Sequence, residues 1–215
     1  MARKNADDRR LEVLEETLNQ IRVLGMSSVR VSDVASAMGV SPALIMYHFD
    51  TKERLLSEAL IRAAERDLST LGRIVRSARS PLQRLSEALE WYGPTGQARG
   101  WQVWIDAWSL ALRDKNIAKV VGELQERWVE EIAGVISDGV ADGVFASEDP
   151  GTSATRLTAL LDGLAVRSLV QRTSLSRDQL RKWLQDEITR ELAVETPLSD
   201  RTGTRDTTAP ATVRE

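Results

Sequence analysis

Around residues 31–52, VSDVASAMGVSPALIMYHFDTK, stand side chains suited to binding an anion: Arg30 just before the stretch, then Ser32, Ser41, Tyr47, His48 and Lys52. Two cations, hydroxyls and an imidazole suit phosphate oxygens, and a helix beginning near Ser32 adds free backbone N–H donors. Pro42, Ala43 and Leu44 are apolar. Facing DNA, they would meet thymine methyl groups, leaving Arg30 or Ser32 as the best polar reader of a base edge and DNA shape to supply much of the specificity.

A second chemistry lies further along. The chain has six tryptophans against two phenylalanines, and five of the six are Trp91, Trp101, Trp104, Trp108 and Trp128. An indole face attracts an organic cation, so Trp91, Tyr92, Trp104, Trp108 and Trp128 are candidate ligand contacts. Asp162, Asp106 and Glu123 are candidate counter-charges. The competing reading is that the rings fill the core, that Asp162, within LLDGL, makes a structural hydrogen bond, and that Asp106 faces solvent.

Inventory excludes much else. His48 is the sole histidine and there is no cysteine, so histidine triads elsewhere and His/Cys zinc sites are ruled out. Neither a GxGxxG nor a GxxxxGK[ST] loop occurs. No metal, cofactor or catalytic residue is expected; an enzyme would have to rely on carboxylates such as Asp106, Glu123 and Asp162.

These groups need elements to hold them. Ala35 where two helices cross, Gly39 at the turn and Ile45 locking the second helix inward have helix-turn-helix spacing, with Val34, Met38, Val40 and Phe49 completing a miniature core. Ser41-Pro42 reads as a helix start, a capping hydroxyl followed by proline at the first helical position. Before it, residues 7–24 form an amphipathic helix through Leu11, Leu14, Leu18 and Ile21, closed by Gly25. Ahead of that, Arg3 and Lys4 form a short arm within reach of DNA backbone or a solvated terminus.

Asp50-Thr51 caps a long fourth helix beginning at Lys52 and carrying periodicity toward Pro81, roughly 40 Å in all. Leu82, Leu85 and Leu89 mark a fifth helix, followed by the turn TGQARG; Trp101, Trp104 and Trp108 share a face of a sixth. A seventh runs from Ile117 to Ile136, an eighth carries Leu157 to Leu169, and Ser176 with Gln179 forms a capping box for a ninth. The fold class is therefore all-α, about nine helices: a helix-turn-helix unit over residues 1–50, a helical bundle over 51–194 and a disordered tail over 195–215 rich in Thr, Pro, Asp and Arg.

Net charge is −3, and in the first sixty residues nine acids outnumber the basic residues. A DNA footprint must therefore be local, with Glu12, Glu15 and Glu16 turned away. No run approaches the roughly 20 apolar residues of a membrane span, nor does a signal-peptide core occur, so a cytoplasmic protein is expected.

The run GVSPALIMYHFDTKERLL resembles the recognition-helix signature of the TetR family of bacterial transcription repressors, and the likeness of helix order covers roughly residues 7–194. Many members have tyrosine where Met46 stands; the YHF arrangement is closer to the BetI-like, choline-sensing branch. Arg30 stands where a Ser or Thr usually enters the second helix, replacing a hydroxyl contact to phosphate with a cationic one. The resemblance implies a ligand-responsive regulator, most simply a repressor, whose homodimer sets two recognition helices in successive major grooves roughly 34 Å apart on a near-palindromic operator. It also implies that the middle helices enclose a small-molecule inducer, an organic cation or amine on the aromatic evidence. The last two helices would form the dimer interface, through Leu160, Leu164, Leu180, Trp183 and Leu184, and ligand would shift the fourth helix. The rival classes are a carboxylate enzyme and a protein-binding helix-turn-helix scaffold.

Overall fold

The computed structural model describes residues 6–95 and 100–194. The Arg3–Lys4 arm, most of the TGQARG turn and the 195–215 tail lie outside the described residues. Within them there are nine α-helices and no strand: α1 (Ala6–Leu24), α2 (Val31–Met38), α3 (Pro42–Phe49), α4 (Lys52–Val75), α5 (Pro81–Tyr92), α6 (Trp101–Ala111), α7 (Lys115–Ala141), α8 (Pro150–Leu169) and α9 (Arg177–Glu191).

The boundaries follow from local chemistry. Ser41 accepts from the Leu44 N–H at 3.3 Å and Pro42 fills the first position of α3. The Thr51 hydroxyl caps α4 by accepting from Arg54 N–H at 3.1 Å. Ser80 with Gln83 and Ser176 with Gln179 form the capping boxes of α5 and α9. Gly39, at φ 64°, supplies the left-handed residue that ends α2 and turns the chain into α3. One expectation shifts: Leu11 is exposed and Val13 takes its place in the core, because Val13, not Leu11, shares the inward stripe with Thr17 and Ile21.

A first cluster, Leu14, Leu18, Val34, Ala35, Ile45 and Phe49, holds α1, α2 and α3 together and continues into Leu55, Leu56, Ala59 and Leu60 of α4. Val34 and Phe49 are buried, while Met38 and Val40 pack on its edge. The first half of α4 is bound to α1 by charge as well. Glu15 accepts from Arg62 at 3.3 Å and from Arg66 at 2.9 Å, and Glu58 pairs with Arg10, whose guanidinium lies 4.7 Å over the Phe49 ring. At 24 residues α4 is about 36 Å long and runs from this unit into the bundle. There α7 is central, packing against α4, α5, α6 and α8.

Helix α9 lies on α5 and α8. Leu180 (2% exposed), Leu184 (1%) and Leu164 (8%) are buried inside this single chain, which corrects their assignment to a surface facing a partner. Trp183, 46% exposed, and the half-buried Leu160 remain on the outer side.

Candidate DNA-binding face and aromatic ligand site

Helix α3 presents a face of mixed character. Tyr47 is 81% exposed and its ring meets the His48 ring edge-on at 5.4 Å; Pro42 and Ala43 are exposed, and Leu44 is half-buried. The apolar base-facing surface read from the sequence is thus on the outside, while Ile45 and Phe49 anchor the opposite side. Arg30 and Ser32 are exposed at the start of α2. The free donors expected there are partly engaged, however: Arg30 N–H donates to Asp33 Oδ2 at 2.8 Å, placing a carboxylate where a phosphate was expected. Ser41 is spent on capping α3.

Between α3 and α4, Thr51 N–H donates to Phe49 O at 2.6 Å around Asp50, whose φ is 59° and ψ −48°. This is the rare, positive-φ form of the γ-turn. It sets Lys52 at the head of α4 with its Nζ 3.5 Å from Ser27 O, so the ammonium is directed to the α1–α2 turn beside Arg30. The acids of this region are largely engaged elsewhere: Glu15 and Glu58 join α1 to α4, Glu16 accepts from Asn19 and Gln20, and Asp50 pairs with Arg54 at 2.7 Å. Arg30 and Lys52 are the cations at this turn, with Asp33 and Glu53 as the acids beside them.

The tryptophans converge inside the bundle. From α5, Tyr92 lies with its ring centroid 4.0 Å from Trp128 of α7 and 4.5 Å from Trp101 of α6, and Trp91 stacks on Trp128 at 6.1 Å. Trp108 meets Trp101 at 6.3 Å and Trp104 at 6.4 Å. Trp101 Nε1 donates to Tyr92 O at 2.7 Å, whereas the Trp128 Nε1–H is buried without an acceptor among the described residues. Tyr92, Trp101, Trp104 and Trp128 are buried, Trp91 and Trp108 half-buried.

Two carboxylates bear on this cluster. Burial pushes Asp162 of α8 up to about 6. Burial likewise pushes Asp67 of α4 up to about 6, against the pull of Arg66 and Arg22. The Tyr92 hydroxyl is held well above its ordinary value by burial and then by Asp162 and Asp67. Among the described residues neither carboxylate nor that hydroxyl makes a hydrogen bond or ion pair. The structural hydrogen bond considered for Asp162 is thus not made. Asp67 also touches the start of α6, where a Cβ on Gly100 would come within 2.8 Å of its Oδ2.

Asp67 was missed in the sequence, though its signal was there: with Leu60, Ala64 and Leu71 it falls on the inward stripe of α4, where a carboxylate is costly. The other two expected counter-charges go elsewhere. Glu123 is on the surface of α7, paired with Lys119 at 3.7 Å. Asp106 neither joins the cluster nor faces solvent freely; its Oδ2 accepts from the Met26 N–H at 3.3 Å. The three carboxylates of the enzyme reading therefore do not converge. A surface groove of about 750 Å³ between α5 and α9, edged by Arg79, Arg177 and Arg181, takes in only Trp91 of the expected ligand residues.

Comparison with known proteins gives a family match at each end of the chain. Residues 13–59 match the bacterial regulatory proteins, tetR family, and residues 81–193 match the C-terminal domain of the BetI-type transcriptional repressors. The HTH-type transcriptional regulator BetI of Serratia proteamaculans is 25% identical over 88% of this chain and 95% of its own. Among solved structures, a transcriptional regulator from Saccharomonospora viridis in complex with choline is 33% identical, with a TM-score of 0.79 over 88% of this chain and all of its own (100%). A TetR-family regulator from Rhodococcus sp. is 27% identical, with a TM-score of 0.74 over 86% of this chain and 99% of its own. The relatives are transcriptional regulators rather than enzymes, and the chain belongs to the TetR family, as a transcriptional regulator with a BetI-type C-terminal domain.

Proposed function

We propose that this protein is a cytoplasmic repressor that binds a near-palindromic operator as a two-fold dimer and is released by a small organic cation of the quaternary ammonium type. The observation carrying the ligand reading is the ring cluster of Tyr92, Trp101, Trp104, Trp108 and Trp128 faced by two carboxylates, Asp67 and Asp162, that have no hydrogen-bond or ion-pair partner among the described residues. Indole faces and partly desolvated carboxylates stabilise a cation that cannot donate strong hydrogen bonds. Choline, bound in the Saccharomonospora viridis relative, is the first compound to test.

On DNA, exposed Tyr47, Pro42 and Ala43 meet the major groove, and Arg30, His48 and Lys52 meet phosphates. Two-fold symmetry of the protein calls for a matching symmetry in the operator, and the outer sides of α8 and α9 with Leu160 and Trp183 are the proposed dimer surface. Calorimetric titration with choline, paired with a gel-shift on DNA flanking the protein's own gene, tests the reading. Saturable choline binding and choline-dependent loss of the shifted band are expected. No heat of binding at millimolar choline overturns the ligand assignment, and no specific shift overturns the operator.

A further inference from the structure

The turn joining α1 to α2 is held from two sides. On one, Lys52 Nζ of α4 reaches Ser27 O; on the other, α6 makes two hydrogen bonds, Gln102 Nε2 to Arg22 O at 2.8 Å and Asp106 Oδ2 from Met26 N–H at 3.3 Å. Gln102 thereby satisfies one of the last carbonyls of α1, and Asp106 satisfies an N–H just past Gly25, whose φ of 82° turns the chain there. We propose that Gln102 and Asp106 are positioning residues, a latch by which α6 holds the DNA-binding unit in its operator-competent orientation and which opens when the aromatic cluster takes up its cation. The trigger rests on the ligand reading above; the latch rests on the contacts just given.

Three relationships lead to it. First, α6 belongs to both sites: it contributes Trp101, Trp104 and Trp108 to the cluster, and Gln102 and Asp106, one turn apart, to the latch. Secondly, with rings as close as 4.0 and 4.5 Å, a trimethylammonium group can enter only if rings separate, and α6 carries three of them. Thirdly, the joints around α1 differ in strength. The α1–α4 joint has a buried apolar seam and the Glu15 and Glu58 ion pairs, so those helices move together, while α6 meets α1 over a smaller contact whose polar links are one exposed hydrogen bond, from Gln102, and one part-buried one, to Asp106. The Asp106 carboxylate also sits at the C-terminal end of α1, where the helix dipole repels a negative charge and keeps the hold light. The turn leads straight into Arg30 and α2, against which α3 packs, so releasing it frees the recognition helix to change its angle.

Linkage fixes the signs. A ligand can open the latch only if it binds the open state better, so weakening the latch must weaken the operator complex and tighten the ligand complex. The test measures operator affinity by fluorescence anisotropy, on a duplex selected by the protein from random DNA, and choline affinity by calorimetry. It uses wild type, Asp106→Ala, Gln102→Ala and Asp106→Asn, the last keeping an acceptor for Met26 N–H. For either alanine variant, losing one hydrogen bond should weaken the operator about three- to ten-fold and tighten choline by up to the same factor, and Asp106→Asn should restore both. Unchanged operator affinity in both alanine variants overturns the latch, as does a joint weakening of operator and choline, which a merely structural role would produce. If wild type does not bind choline, the ligand reading fails separately. Operator loss in the alanine variants with recovery in Asp106→Asn would then still sustain the latch, and its absence would overturn it.

Discussion

Tyr92 and Trp128 meet with ring centroids 4.0 Å apart, and Trp128 carries a buried indole N–H that no oxygen among the described residues accepts. Burying a donor without an acceptor costs stability, and the cost is balanced only by the packing around it. A ligand bearing an oxygen beside its cationic head would satisfy that donor.

Trp128→Phe keeps a ring against Tyr92 while removing the larger π-face and the donor. We expect choline affinity to fall roughly three- to thirty-fold, from the weaker cation–π attraction, with operator affinity in the absence of ligand unchanged. Calorimetry and anisotropy on the same preparation check this, and undiminished choline binding would remove Trp128 from the site.

The two half-buried carboxylates make stability and ligand affinity depend on pH in opposite senses. Asp67 and Asp162 titrate near 6 in the fold against 3.8 as free groups, so the native state holds more protons than the unfolded chain between those values. The sign is therefore negative: their contribution is fully present below about 3.8 and is lost as pH rises through about 6. A cation prefers the ionised carboxylates, so choline affinity should rise over the same window. Thermal melts and titrations from pH 5 to pH 8 check both trends; Asp67→Asn with Asp162→Asn should flatten them, and identical slopes in wild type and the double variant would refute the assignment.

In the proposed DNA complex Lys52 meets a phosphate and reads no base, and Lys52→Ala removes that contact. Operator and random-sequence DNA should weaken together, and the dependence of log affinity on log salt should become shallower by about one unit. Because Lys52 Nζ also reaches Ser27 O at 3.5 Å, a small loss of melting temperature accompanies it. A loss confined to one operator sequence would instead make Lys52 a reader.

Trp183→Glu places a charge on the exposed side of α9 without touching the core that Leu180, Leu184 and Ile188 form on its other side. Sedimentation should show a shift from dimer toward monomer and a parallel loss of operator affinity. A variant that remains dimeric at micromolar concentration would place the interface elsewhere.

Much of this was legible along the chain because it depends on local chemistry. Helix starts at Ser41-Pro42, Thr51 and Ser176, the turn at Gly39 and the inward positions Val34, Ile45 and Phe49 follow from capping, left-handed backbone and 3.6-residue spacing, each of which operates within a few residues. The resemblance of GVSPALIMYHFDTKERLL to one family added the expected order of the helices and the regulatory role.

What the sequence could not decide is which of two faces a side chain meets, since that depends on helices far apart in the chain. Asp106, Glu123 and Asp162 were equivalent acids near tryptophans, yet one holds the α1–α2 turn, one pairs on the surface and only Asp162 faces the rings. Asp67, nearly a hundred residues from Asp162, joins it because α4 and α8 flank the same cluster. Leu180 and Leu184 had an apolar face to cover, and the packing of α9 on α5 and α8 covered it within the chain. By itself the sequence determined the helices and the family; tertiary packing, by choosing each helix's neighbour, decided that Asp67 and Asp162 are half-buried without a partner among the described residues, which is where the proposed cation would be most stabilised.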